Sequence, residues 1–294
     1  MIRSLLLSLK SLGTRHKAMQ PVVGKIAETE DFQPDPRFEP CDLLLLAGIP
    51  CKIWGEDVLS FYGVPTAVFD LFVLVSNPNE ASQSLIDQGY SLSTPNPRFA
   101  HIPELSHQVP RLVPSVLADK IMGSSSLSSS DGLGLLEADD TVLTGVVLLS
   151  ASDWNYPLPD SVTGLQELVP SLHEYFDCIV EKWMDLPKDN VDLRDHLAIH
   201  IGYHSLYLDE VWTEDFEKQV RKEHRQFLFD LLADGAAGRV DLLHSECQVY
   251  HREIRGHILE GKHDPVIHDK FVRERVGPVN IGSRFELILP LQQH

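Results

Sequence analysis

Residues 51–76 read CKIWGEDVLSFYGVPTAVFDLFVLVS, and this stretch decides the class of fold. Apolar side chains dominate Cys51–Trp54 and again residues 70–76, and each segment has the length of a buried strand. Gly55 separates the first strand from residues 56–62, which have helical spacing and end before another glycine. The order of strand, glycine turn, helix, loop and strand predicts a mixed α/β sheet.

Further strands and helices of the same kind flank this stretch. A short helix is predicted over residues 42–47, and Asn79 is the predicted N-cap of a helix that reaches Gln88. Three more strands are predicted downstream, at residues 90–93, 111–113 and 145–151. We therefore expect an α/β domain over residues 40–155, in which a serine- and glycine-rich loop at 123–135 is flexible.

The spacing of apolar residues in the sequence changes after Pro159. From there apolar residues recur at three- and four-residue spacing, which predicts a mainly helical domain over residues 156–294. The predicted helices lie near residues 171–184, 193–208, 215–232 and 244–260. A short apolar segment at 285–289 is a candidate edge strand. The predicted fold class is thus α/β (α+β), with a mixed sheet and flanking helices followed by a helical C-terminal domain.

The N-terminal segment differs from the rest of the chain. Residues 1–25 carry lysine and arginine but no acidic residue, and residues 28–40 are polar and contain prolines. We expect residues 1–39 to form a disordered basic leader and linker. A basic leader without acids resembles a mitochondrial presequence, so a mitochondrial location is the alternative to a cytoplasmic one.

The charge balance limits the range of partners. The chain has 25 basic and 43 acidic side chains and a net charge of -18, which opposes binding to nucleic acids and to anionic membranes. No apolar run approaches the roughly 20 residues that a membrane-spanning helix needs. The four cysteines lack C-x-x-C spacing and are predicted to be reduced, buried thiols. The expected partner is therefore a nucleotide, a small molecule or another protein, and the oligomeric state stays open.

The order of elements in residues 51–76 resembles the core of the nucleotidyltransferase superfamily. In that superfamily a strand ends in a glycine turn, a helix follows, and the next strand carries two carboxylates that hold divalent metal ions. The resemblance implies that Asp70 is a catalytic carboxylate and a metal ligand, with magnesium as the cofactor. It also implies that Gly55 and Thr66 contribute to cofactor binding, since the turn offers backbone N–H groups to a triphosphate.

The chain departs from the superfamily pattern at two places. Phe72 lies on the same strand face as Asp70, so the second carboxylate is missing. The residues after the glycine turn are Glu56 and Asp57, whose charges would repel a phosphate tail. Both acids are also favourable in the first turn of a helix. The alternative that Glu56 or Asp57 completes a catalytic set with Asp70 stays open.

A longer resemblance extends beyond this core. The segments WGEDVLSFYGVPTAVFDLFVLVS and LRDHLAIHIGYHSLYLDEVW, at residues 54–76 and 193–212, are similar to an uncharacterised fungal family of nucleotidyltransferase-like proteins. The resemblance covers the chain from Pro40 to the end of the helical half. It implies a fold and a nucleotide-related ancestry, but no particular reaction.

Three histidines lie at four-residue steps in the second of these segments. On a helix, His196, His200 and His204 would form one stripe, and neighbouring imidazoles are ligands for transition metals. The H-E-x-x-H motif of zinc hydrolases is absent, because Leu197 follows His196. A helix interface with hydrogen-bonded histidines explains the same stripe without a metal.

These patterns lead to three functional hypotheses. The first is a degenerate nucleotidyltransferase-like protein that binds a nucleotide, a small molecule or a protein partner without efficient turnover. The second is an active magnesium-dependent nucleotidyltransferase that acts on a small-molecule hydroxyl, with catalytic acids Asp70, Glu56 and Asp57. The third is a metal-dependent hydrolase that uses the three histidines of the stripe. Whether the chain is an enzyme depends on which of these side chains converge.

Overall fold

A mixed sheet of five short strands forms the first half of the protein. The computed structural model describes residues 36–115, 145–159, 165–232 and 245–265. The strands are Cys51–Trp54 (β1), Leu71–Val75 (β2), Tyr90–Leu92 (β3), Arg111–Pro114 (β4) and Val146–Ser150 (β5). Their order across the sheet is β1-β2-β5-β4-β3. The prediction of a mixed α/β fold is therefore confirmed.

The two strands of the deciding stretch are antiparallel neighbours. The register of β1 and β2 places Trp54 opposite Phe72. β2 runs parallel to β5, with Leu71 opposite Val146, while the remaining neighbours pair antiparallel. β2 is buried along its whole length, as is β5 up to its last residue, Ser150. Burial on both faces explains why these strands read as apolar runs rather than as alternating patterns.

Helices pack on the sheet and make up most of the second half. In chain order they are Glu39–Leu46 (α1), Glu56–Phe61 (α2), Pro78–Asp87 (α3), Leu165–Leu168 (α4), Leu172–Asp185 (α5), Val191–Tyr207 (α6), Glu214–Gln219 (α7), Lys222–Leu232 (α8) and Ser245–Leu259 (α9). Short 3-10 turns connect several of these elements. α5 begins after Ser171, whose backbone N–H donates to Glu174 Oε2 at 2.9 Å. In return, the Ser171 side chain accepts from the backbone N–H of Glu174, which completes a capping box. Because this motif is local in sequence, it explains why the start of the helix can be predicted.

The N-cap of α3 is Asn77 rather than the predicted Asn79. Asn77 Oδ1 accepts hydrogen bonds from the N–H groups of Asn79 at 3.1 Å and Glu80 at 3.3 Å. Pro78 lies in the first turn of the helix. N–H groups in the first turn have no partner within the helix, so the missing N–H of proline costs no hydrogen bond there. The helix therefore starts earlier than predicted, because proline is favourable at this position.

The predicted helix at residues 215–232 is two helices, α7 and α8. The chain between them is extended at Val220, and the N–H of Arg221 donates to the Asp177 carboxylate at 3.1 Å and 3.3 Å. Asp177 is buried on α5 and also lies 2.7 Å from His224 Nδ1. A hydrogen bond to another helix thus stabilises the interruption between α7 and α8. The spacing of apolar residues alone does not predict this interruption.

An aromatic cluster joins the end of β1 to the helical half. The Trp54 ring makes edge-to-face contacts with Trp154, Tyr156 and Tyr175, at centroid distances of 5.7, 5.7 and 4.8 Å. Such pairs contribute about 0.5–1.5 kcal/mol each beyond the area they bury. Described residues from both halves of the chain contribute to one hydrophobic core. The division into two domains at residue 155 stays a prediction.

Parts of the predicted organisation lie outside the described residues. These are the leader up to residue 35, the serine- and glycine-rich loop at 123–135 and the candidate edge strand at 285–289. Where the structure is described, no helix has the length and apolar character to cross a membrane. Three of the cysteines are buried free thiols, as predicted, and the fourth is half-buried: Cys41, Cys51, Cys178 and Cys247.

We predict that Gly55→Ala destabilises the protein more than Gly63→Ala. Gly55 has φ 70° and ψ -137°, and a Cβ there would lie 3.1 Å from Phe72 Cδ2. Gly63 also has a positive φ, of 89°, but an added Cβ would meet nothing within 4 Å. We expect losses of about 2–4 kcal/mol for Gly55→Ala and about 1 kcal/mol for Gly63→Ala in urea unfolding. Equal losses would contradict the close packing of Phe72 against this turn.

Candidate functional site

Asp70 is held in a buried ion pair with Arg111. Arg111 Nε donates to Asp70 Oδ2 and Arg111 Nη2 donates to Asp70 Oδ1, both at 2.9 Å. The N–H of Gly145 also donates to Oδ1 at 2.9 Å. The side chains of Asp70 and Arg111 are only 1% and 10% exposed, so solvent screens the pair little. The protein itself thus supplies the positive charge that the superfamily resemblance assigns to magnesium.

The surroundings of Arg111 show that this pair is structural. Arg111 Nη1 donates to Ser93 Oγ at 3.0 Å and to Thr94 O at 3.2 Å. A Cβ at position 145 would lie 2.6 Å from Arg111 Nε, so Gly145 leaves the space that the guanidinium occupies. The guanidinium is therefore fixed by side-chain and backbone groups from several segments.

A second arginine engages Asp57. Arg37 Nε and Nη2 donate to the two carboxylate oxygens of Asp57 at 2.6 and 2.7 Å. Arg37 Nη1 donates in addition to Phe69 O at 3.1 Å. This bidentate geometry is the strong form of an arginine–carboxylate contact. Asp57 therefore anchors the chain segment that leads into α1.

Glu56 points in a third direction, toward α6. Glu56 Oε1 lies 3.7 Å from His200 Nε2 and 4.0 Å from His196 Nε2. Glu56 Oε2 is buried and has no hydrogen-bond partner among the described residues. The three predicted catalytic acids thus face three different sets of basic groups. They do not converge on one shared partner.

The other predicted site positions lie around the same turn. Phe72 packs against Gly55 and makes an edge-to-face contact with Phe99, at a centroid distance of 5.1 Å. An aromatic ring therefore fills the position at which the predicted resemblance would place a second carboxylate. Thr66 is half-buried on the loop after α2, and its N–H donates to Val64 O at 2.8 Å. Gly55 lines the pocket described next, whereas Thr66 is not among its lining residues.

A narrow pocket lies between the Gly55 turn and α6. Its walls are mostly apolar, and its charged or titratable groups include one carboxylate and two imidazoles. It is lined by Trp54, Gly55, Glu56, Phe72, Leu105, Trp154, Tyr175, His196, Leu197 and His200. A carboxylate buried among apolar walls favours a cation or a hydrogen-bond donor as its partner.

The histidine stripe of α6 divides into two parts. His200 Nδ1 lies 2.7 Å from the Tyr175 hydroxyl, and the ring centroids of His196 and His200 are 4.4 Å apart. His204 is fully buried, its Nδ1 lies 2.8 Å from His200 O, and its ring stacks on Tyr175. His196 and His200 therefore face the pocket, while His204 is a core residue.

Burial sets the protonation of the groups around the pocket. It lowers the pKa of His196 to about 3, an effect to which His200 adds, so His196 is neutral near pH 7. Burial raises the pKa of Glu56, but the interactions with His200 and His196 outweigh it, and the pKa of the carboxyl is lowered on balance. Burial raises the pKa of the Tyr175 phenol well above its usual value. The pocket thus combines a carboxylate, a neutral imidazole and a neutral phenol.

Comparisons with models of known protein families, with curated proteins and with solved structures found no match. The site is therefore defined by the chemistry of the chain itself. Sequence reasoning selected Glu56 for one hypothesis and His196 and His200 for another, and nothing in their spacing shows that they meet. It missed Tyr175 and Arg111, since isolated tyrosines and arginines carry no motif. The H-x-x-x-H spacing was the only available signal for this group.

We predict that Asp70→Asn lowers the free energy of unfolding by about 3 kcal/mol, because it removes the buried carboxylate that the Arg111 guanidinium contacts. Glu56→Gln is the matched control, since it also neutralises one buried acid. Glu56 faces histidines instead of an arginine, so we expect a change of about 1 kcal/mol or less. Urea unfolding of both variants checks the difference, and similar losses would show that Asp70 is not specially stabilised.

The buried histidines predict a loss of stability in acid. Burial lowers the pKa of His196 to about 3 and the pKa of His204 to about 4. The unfolded chain takes up protons at these sites below about pH 6.5, whereas the folded protein keeps them neutral, so their stabilisation is present above that pH and is lost as the pH falls. We expect each to reduce stability by about 1–2 kcal/mol between about pH 6.5 and 5.

The check on this prediction is urea unfolding across that pH range. His204→Gln should show a shallower dependence of stability on pH than the wild type, because glutamine does not titrate. Identical pH dependences would mean that His204 is protonated in the folded protein as readily as in the unfolded chain.

Proposed function

We propose that this protein is a nucleotidyltransferase-like α/β protein that binds a small-molecule ligand without efficient nucleotidyl transfer. The observation that carries this proposal is the buried pair of Asp70 and Arg111. Magnesium-dependent transfer needs carboxylates that are available to metal ions on one strand face. Here Asp70 is neutralised by the protein, and Phe72 occupies the second position.

The arrangement of the first strands supports the ancestry in this proposal. β1, the Gly55 turn, α2 and β2 follow one another in the order of the superfamily core, and β1 and β2 are neighbours in the sheet. The turn still approaches the second strand closely, as the contact between Gly55 and Phe72 shows. The scaffold is thus compatible with a nucleotidyltransferase-like origin, while the metal-binding carboxylates are not retained.

The chemistry of the pocket favours one class of ligand. Trp54 and Trp154 form apolar walls, and Glu56 offers a buried negative charge. The cavity between them is about 10 Å³, room for about one water-sized group, so it suits a small cationic or hydrogen-bond-donating group. The same charge repels a triphosphate. We therefore favour a small amine over a nucleoside triphosphate.

The two other hypotheses make different demands on these residues. An active magnesium-dependent nucleotidyltransferase requires Arg111 to release Asp70 and Arg37 to release Asp57, so that the acids converge. A metal-dependent hydrolase needs a set of metal ligands on α6, and one observation favours it. The ligand atoms of Glu56, His196 and His200 lie within 4.8 Å of one another. The third metal ligand would then be Glu56 and not His204, which the sequence had suggested.

Thermal unfolding tests the proposed binding, because a ligand that prefers the native state raises the melting temperature. We expect small amines to raise it, and ATP, GTP, CTP and UTP with magnesium to leave it unchanged. Glu56→Gln, which removes the buried charge, should abolish the ligand effect. A magnesium-dependent shift with a triphosphate would instead support the active enzyme. If no compound of either class raises the melting temperature, the binding proposal fails.

A further inference from the structure

We propose that Glu56, His196 and His200 form a binding site for one divalent transition-metal ion, with Zn²⁺ as the reference case. The ligand atoms are Glu56 Oε1, His196 Nε2 and His200 Nε2. This inference goes beyond the binding function proposed above and does not depend on it; the ion and the cationic group of a ligand would compete for the same Glu56 carboxylate. It rests on the geometry of the group, on a buried oxygen without a partner, and on the support that His200 receives.

The three donor atoms already lie near the spacing of a metal site. Glu56 Oε1 is 3.7 Å from His200 Nε2 and 4.0 Å from His196 Nε2. Bonds of about 2.1 Å in a tetrahedral site place donor atoms about 3.4 Å apart. All three donor atoms lie within 4.8 Å of one another, so side-chain movements of up to about an ångström would close the group around an ion. His196 and His200 are one helical turn apart on α6, which is the spacing that lets two imidazoles share an ion.

The protein satisfies the buried Glu56 carboxylate only in part. Its side chain is 8% exposed, and Oε2 has no hydrogen-bond partner among the described residues. The distances from Oε1 to both imidazoles exceed hydrogen-bond length. An ion between these atoms would neutralise the carboxylate and would bond both ring nitrogens. Asp57 and Asp70 differ in this respect, because each already contacts an arginine.

A second contact orients His200 as a metal ligand. The Tyr175 hydroxyl lies 2.7 Å from His200 Nδ1 and 3.3 Å from Gly55 O. When the hydroxyl donates to Gly55 O, it accepts the Nδ1 proton of His200, and Nε2 presents its lone pair to the pocket. Hydrogen bonds of this kind to the distal ring nitrogen fix the tautomer of metal-binding histidines. Tyr175 is therefore a positioning residue.

The donor set selects the class of ion. Two imidazoles and one carboxylate suit zinc, iron, cobalt or manganese, whereas magnesium and calcium prefer oxygen ligands alone. Three protein ligands leave at least one coordination position for water or a small ligand. The walls beside that position are apolar, since Trp54, Leu105 and Trp154 line the pocket. The site would thus hold an ion whose remaining position is shielded from bulk water.

The experiment uses the full chain, freed of metal with a chelator and titrated with Zn²⁺ against a competing chelator. We expect one high-affinity equivalent in the wild type, together with a higher melting temperature. Glu56→Gln and His200→Asn should each weaken this equivalent by at least about tenfold. The matched control is His107→Asn, since His107 is an exposed histidine outside the site, and it should bind as the wild type does.

A spectroscopic readout separates ligation from a general effect on folding. Co²⁺ bound by the wild type and by His107→Asn should give the visible absorption of a site with imidazole ligands, and Glu56→Gln should lose it. Tyr175→Phe keeps all three ligands, so it should retain one equivalent with an affinity about tenfold lower. Without metal, Glu56→Gln should unfold close to the wild type, with a change of about 1 kcal/mol or less, so its loss of Zn²⁺ would not reflect unfolding.

Three outcomes would overturn the proposal. The first is the absence of a stoichiometric Zn²⁺ equivalent in the wild type. The second is equal affinity in Glu56→Gln and His107→Asn, which would place the ion among other histidines of the chain. The third is tighter binding of Mg²⁺ than of Zn²⁺, which would exclude the assigned imidazole ligands. If the Glu56 and His200 variants fail to fold, the Co²⁺ spectrum of the wild type decides whether imidazoles bind the ion.

Discussion

Arg111 on β4 reaches past β5 to hold the carboxylate of Asp70 at the start of β2, and the amide of Gly145 completes the contact. This interaction connects the ends of three neighbouring strands, β2, β5 and β4. Because both side chains are buried, removing either partner would leave a charge in a medium that solvates it poorly. The pair therefore links β4 to the start of β2 and leaves the Asp70 carboxylate bound by an arginine of the protein itself.

In the folded protein the three candidate catalytic acids contact different basic residues, and this limits the possible functions. The sequence places Glu56, Asp57 and Asp70 close together along the chain, and the hypothesis of an active nucleotidyltransferase requires them to share a metal site. In the folded protein two of the three are bound by arginines, and Phe72 closes the space between the turn and β2. Of these three acids, only Glu56 has a buried oxygen without a hydrogen-bond partner among the described residues. Its carboxylate faces α6, away from the arginines that bind Asp57 and Asp70.

That group lies where the sheet meets the helical half. The aromatic cluster around Trp54 brings α5 against the end of β1, and α6 packs beside α5. Tyr175 belongs to this cluster and also contacts His200, so the packing of the core and the orientation of the imidazole are coupled. Against the effect of burial, the two imidazoles lower the pKa of the Glu56 carboxyl, yet its buried Oε2 has no hydrogen-bond partner among the described residues. Such local conflicts are expected at binding sites rather than in a purely structural core.

The sequence by itself determined the elements. Apolar runs and glycine breaks located β1 and β2 almost to the residue, because strand and helix periodicities are local properties of the chain. Local spacing was not sufficient at Val220, where a hydrogen bond between Arg221 and Asp177 interrupts the helix. The site was decided by the tertiary structure alone. Glu56 lies beside two histidines from a distant part of the sequence, because α2 and α6 pack against the same aromatic cluster. Packing between distant segments creates this contact, so no local sequence pattern could predict it.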